Sequence, residues 1–143
     1  MNISRVIIMT FILGLLGHIF AYAGQPVRLE AKEYYYQFPF LDTKTPVWSY
    51  NGQIPGPLIR GRVGTTVVID FANRLKEPSS IHWHGLRIEN AMDGVPGVTQ
   101  DPVEPGGNFI YRLKLEDAGT YWYHPHFNSS EQLERGLKGG VHC

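Results

Sequence analysis

The chain has 143 residues, 43% of them hydrophobic, with 13 basic and 13 acidic side chains and a formal net charge of zero. That length is one domain of ordinary size with enough apolar material for a core. The even charge excludes both the basic excess of a nucleic-acid binder and the acidic excess of a disordered tail, so no nucleic-acid partner is expected.

The first element in chain order is an apolar leader. Arg5 is the only charge in residues 1–23, Val6 to Phe20 is an almost unbroken apolar run, and Ala21-Tyr22-Ala23 places small residues at the −3 and −1 positions of a cleavage site. This is the order of a secretory signal peptide. The run of roughly 15 residues is short for a membrane anchor, which needs about 20. Residues 1–23 are therefore expected to be a signal peptide, and residues 24–143 a single exported domain that leaves the membrane after cleavage. The only cysteine is Cys143, so no internal disulfide is expected, and stability must come from packing, helped by a metal.

The body of the chain, with 16 Gly, 10 Pro and 13% aromatic residues, suits short strands joined by turns. Val27 to Tyr36 and Val47 to Tyr50 read as strands. Asn51-Gly52-Gln53-Ile54-Pro55-Gly56-Pro57 is turn chemistry, followed by a short extended piece at Leu58 to Arg60. Thr65 to Ala72 is the clearest strand, because Val67, Ile69 and Phe71 alternate with Thr66, Val68 and Asp70. Asn73 to Ser80 is a polar connection, and Ser80 to Ile88 reads as a further strand. Glu89 to Gly107 reads as a long loop. In Asn108 to Leu115 the side chains of Phe109, Tyr111, Leu113 and Leu115 share a face. Gly119 to His126 is an aromatic strand, Ser129 to Leu137 a short helix, and Gly136 to Gly140 a glycine-rich stretch. Several short strands with Gly/Pro turns indicate an all-β sandwich or barrel.

Residues i and i+2 of a strand share a face. His82 and His84 therefore point one way with Trp83 opposed, and His124 and His126 do the same across Pro125. If the two strands are neighbours, the imidazoles converge. One His-x-His pair is commonly incidental. Two pairs among the five histidines beyond the leader point to a metal, and an all-imidazole set fits copper or zinc.

The flanking residues carry a resemblance. Asn51-Gly52-Gln53-Ile54-Pro55-Gly56-Pro57, Gly64-Thr65-Thr66-Val67-Val68, Ile81-His82-Trp83-His84-Gly85, Met92-Asp93-Gly94-Val95-Pro96-Gly97-Val98-Thr99-Gln100, Pro105-Gly106-Gly107 and Gly119-Thr120-Tyr121-Trp122-Tyr123-His124-Pro125-His126 occur in this order. Together they resemble the N-terminal plastocyanin-like domain of multicopper oxidases, the group of laccases, ascorbate oxidases and copper-resistance oxidases. The resemblance implies a Greek-key β-sandwich or barrel of cupredoxin type. It implies copper as cofactor, with His82 a ligand of the type 2 copper and His84, His124 and His126 ligands of the type 3 pair, half of a trinuclear site that reduces dioxygen to water. Asp93 matches an acidic residue that supports proton delivery, which suits a reaction that consumes protons; a turn residue before Gly94 is the plainer alternative.

Two departures qualify these expectations. Pro125 stands where the family often has a small residue, and proline belongs at strand edges or bulges. The type 1 copper motif and the second set of histidines have no counterpart here. His142-Cys143 lacks the flanks of that motif and reads as the end of a fragment, with Val141 all that remains of a final strand. The chain alone is expected to bind copper without oxidising phenols. Dioxygen becomes a partner only if the missing domains are supplied. A stand-alone copper-sequestering or delivery protein is the alternative, and the family's bacterial setting makes the periplasm the expected location.

Overall fold

The computed structural model describes residues 25–143; the leader and its cleavage site lie outside the described residues. The strands are β1 (Val27–Tyr36), β2 (Thr45–Tyr50), β3 (Gly56–Arg60), β4 (Thr66–Asn73), β5 (His82–His84), β6 (Asn108–Lys114), β7 (Thr120–His124) and β8 (Gly139–His142). A 3-10 turn at Asn90–Met92 and one short helix, α1 (Ser129–Glu134), complete the elements. Among the described residues no helix is long and apolar enough to cross a membrane.

Two four-stranded sheets form, in the orders β2-β1-β4-β6 and β3-β8-β7-β5. Both are mixed: β1 runs parallel to β4 and β3 parallel to β8, and the other pairs are antiparallel. The all-β sandwich expected from the strand pattern is thus what the chain builds. The alternation in β4 works as anticipated, with Val67, Ile69 and Phe71 buried and Thr66 exposed. In β6 Tyr111 and Leu113 face inward while Ile110 and Arg112 face out. One continuous core joins the sheets: Leu29, Ile69, Phe71, Tyr111 and Leu113 from the first meet Ile59, Trp83, Tyr123 and Val141 from the second.

Three sequence expectations change. Ser80 to Ile88 is not one strand, because only His82–His84 is extended. Gly85 adopts φ +84°, a left-handed conformation that ends the strand, and the Leu86 N–H turns back to donate to the Trp83 carbonyl at 3.1 Å. β7 stops at His124, two residues before the expected end, because Pro125 has no N–H to continue the ladder. The glycine-rich stretch holds a strand of its own: β8 pairs with β7 on one side and β3 on the other, with Val141 fully buried. Gly139 leaves the room that the Tyr123 ring fills, since a Cβ there would lie 2.2 Å from that ring.

Candidate metal centre

β5 and β7 pair antiparallel with His82 opposite His124, Trp83 opposite Tyr123 and His84 opposite Trp122. The register therefore puts His82, His84, His124 and Trp122 on one face and Trp83 and Tyr123 on the other. The second pair anchors the strands. Both rings are fully buried, 5.6 Å apart between centroids, and the Tyr123 hydroxyl donates to the Pro57 carbonyl at 2.8 Å. The Ile81 N–H donates to the Tyr111 hydroxyl at 2.9 Å, fixing the entry to β5. His126 lies past the end of β7, where its N–H donates to the Ser80 hydroxyl at 3.2 Å.

The ligand-capable nitrogens of His82, His124 and His126 all lie within 4.8 Å of one another. His84 stands outside that triplet but joins it through His124: its Nδ1 is 3.5 Å from His124 Nε2. The ring of His82 is 5.8 Å from His84, 5.5 Å from His124 and 4.6 Å from His126. All four predicted histidines are thus gathered at one place. His124 is buried, His82 half-buried, and His84 and His126 exposed, so the cluster opens to solvent on one side.

Two of the rings are oriented by backbone carbonyls. His82 Nδ1 lies 2.8 Å from the Asp93 carbonyl oxygen, and His124 Nδ1 lies 3.0 Å from that of Pro125. A carbonyl only accepts, so in each ring Nδ1 carries a proton, which leaves Nε2 as the nitrogen able to offer a lone pair to a metal. Tethering of the second ring nitrogen in this way is how proteins orient metal-binding histidines. Burial lowers the pKa of His124, against the Pro125 carbonyl, which raises it; the neighbouring histidines lower it further. Burial and the His82 charge likewise lower that of His126, with Asp93 opposing. Both rings are held toward the neutral form that binds metal.

Asp93 lies beside the cluster, with its carboxylate 3.4 Å from His82 Nδ1. The closer contact is its main-chain carbonyl, which pattern reading of the sequence does not reveal. What brings that carbonyl in is Gly94. At φ +79° its ideal Cβ would lie 1.8 Å from the Ile81 carbonyl oxygen, so only glycine lets the loop press onto β5. The Asp-Gly pair was the local signal available. His142 is elsewhere: it pairs with Thr120 at the far end of β7, its Nδ1 3.2 Å from the Thr120 hydroxyl. Cys143 is a free, half-buried thiol.

The residues present fit a copper or zinc ion. The donors are imidazoles, and no carboxylate or thiol belongs to the triplet. The 3.5 Å between His84 Nδ1 and His124 Nε2 is close to the separation of two nitrogens on one tetrahedral ion, about 3.3 Å for bonds of about 2.0 Å.

Known proteins point the same way. A family model described as multicopper oxidase matches residues 33–143. A copper resistance protein A homolog of Pseudomonas syringae pv. tomato is 52% identical over 82 residues, 57% of this chain and 14% of the relative. Multicopper oxidase MmcO of Mycobacterium tuberculosis is 48% identical over 102 residues, 71% of this chain and 18% of the relative. Among solved structures, a multi-copper oxidase from Pseudomonas thermotolerans superposes with a TM-score of 0.79 at 43% identity, over 88% of this chain and 30% of that one. The multicopper oxidase from Campylobacter jejuni gives 0.73 at 39% identity, over 80% and 24%. The chain therefore spans less than a fifth of these curated relatives and under a third of these structures.

Proposed function

Because this chain belongs to the multicopper oxidase family and has its cupredoxin-type fold, we propose that His82, His84, His124 and His126 bind copper as half of a trinuclear site, His82 at the type 2 position and the other three at the type 3 pair. The observation that carries this reading is the convergence of the His82, His124 and His126 nitrogens within 4.8 Å, with two rings tethered so that Nε2 faces away from the backbone.

Bound copper supplies the redox chemistry by which the family reduces dioxygen to water. The chain's own residues contribute orientation and protons. The Asp93 and Pro125 carbonyls set the tautomers of His82 and His124, and the Asp93 carboxylate, 3.4 Å from His82 Nδ1, relays protons to the site. Dioxygen reduction calls for the second histidine set and the type 1 motif, neither of which occurs in this sequence, so they would have to come from further domains. Copper sequestration or delivery by this chain alone is the second reading, favoured by three ligand nitrogens of the one chain converging.

Residues 1–23 act in this proposal as an export signal, so that residues 24–143 work as one domain, in the periplasm. The test is a copper titration of the exported chain followed by EPR, with the N-terminus read by mass spectrometry and expected at Gly24. A saturable Cu(II) signal is expected, lost when His82→Ala is combined with His124→Ala. No saturable signal, or one unchanged in the double variant, would overturn the copper reading; retention of the leader would overturn export with cleavage.

A further inference from the structure

Trp122 is the one large aromatic of the β5–β7 pair that turns away from the core. Trp83 and Tyr123 are fully buried, whereas Trp122 is 37% exposed on the histidine face. An indole left half in water forgoes burial that its neighbours obtain, and its contacts say what it does instead. Its ring stacks on His124, with centroids 4.1 Å apart and planes at 27°. It also lies 5.0 Å from His84 at 33°. These are the two imidazoles whose Nε2 and Nδ1 stand 3.5 Å apart.

The two rings differ in their other supports. His124 is tethered by the Pro125 carbonyl. His84 is exposed, and among the described residues its only hydrogen-bond contact is with His124 itself. Cross-strand pairing places Trp122 directly opposite His84, so the indole is the flat wall against which this otherwise untethered ring rests. Offset stacking fixes the plane of a ring while leaving its edge nitrogens free, as a hydrogen bond to one nitrogen does not.

We propose that Trp122 is a positioning residue that presets the His84 and His124 rings for a shared metal ion. This rests on the copper reading above. Its test compares the full chain with Trp122→Leu, which keeps apolar bulk without a ring, and Trp122→Phe, which keeps a stacking face. Cu(II) affinity is measured by calorimetry and the coordination signature by EPR. Trp122→Leu is expected to bind about tenfold more weakly, at the low end of the loss seen when a support of a metal ligand is removed, and to show altered copper hyperfine splitting. Trp122→Phe is expected to restore wild-type affinity to within about threefold, and the wild-type spectrum. Wild-type affinity and spectrum in Trp122→Leu, or Trp122→Phe as weak as Trp122→Leu, would overturn the proposal. A wild-type chain that takes up no copper would instead overturn the reading beneath it. Proton NMR of the metal-free wild-type chain gives a check independent of any variant. Imidazole protons of His84 and His124 are expected to carry ring-current shifts absent from His126, and shifts like those of a free histidine would overturn the stacking role.

Discussion

His124 sits at the closed end of the cluster and His126 at its open end, yet both are held toward the neutral form, chiefly by burial. The consequence for stability has a definite sign. With folded pKa values below the unfolded value of about 6.5, the unfolded chain takes up protons first as pH falls. The metal-free protein therefore keeps this contribution in full above about pH 6.5 and loses it as pH drops toward the folded values. Urea midpoints of the metal-free chain are expected to be lower at pH 5.5 than at pH 7.5, and the difference should shrink when His124→Gln is combined with His126→Gln. An equal or higher midpoint at pH 5.5 would contradict the cause assigned to these shifts. The identity of the four histidines was legible from two His-x-His pairs in strand context, but their individual supports were not. His82 is oriented by a main-chain carbonyl eleven residues away, and a carbonyl has no signature in a sequence.

At the scale of elements, the loop after β5 and the strand itself form one unit, joined where Gly94 meets Ile81. A Cβ there would collide with main-chain oxygen at 1.8 Å, and neither partner can yield without moving backbone. Gly94→Ala is expected to cost about 1–3 kcal/mol of stability through overpacking and backbone strain. By carrying the Asp93 carbonyl away from His82, it should also weaken Cu(II) binding about 10- to 100-fold. Asp93→Asn keeps the carbonyl and should leave copper affinity within about threefold of wild type. Denaturant melts and calorimetry on both variants check this pair, and equal effects of the two would show that the carboxylate, not the carbonyl, orients His82. The strands most legible in the sequence were those whose alternation is complete, β4 and β6. β5 was overextended because Leu86 and Ile88 resume an apolar alternation past Gly85, in the opposite phase, and the positive φ of Gly85 breaks the strand there. β8 was not legible as a strand because glycine carries no periodicity; the Tyr123 ring occupies the space left at Gly139.

At the scale of the molecule, two sheets share one core, and the histidine face is the outer side of the antiparallel β5–β7 pair whose inner side is that core. The sandwich was foreseeable from strand spacing and turn chemistry. The register that places His82 across from His124 was not, because each strand's alternation fixes its own faces but not its offset from a neighbour. In the proposed site, imidazoles of this chain, and not its single thiol, hold copper. The most direct test is X-ray absorption at the copper edge on the copper-loaded full chain. A first shell of nitrogen and oxygen only is expected, with the outer-shell scattering of imidazole, diminished when His82→Ala is combined with His124→Ala. Sulfur in the first shell, or an imidazole contribution unchanged in that double variant, would contradict it.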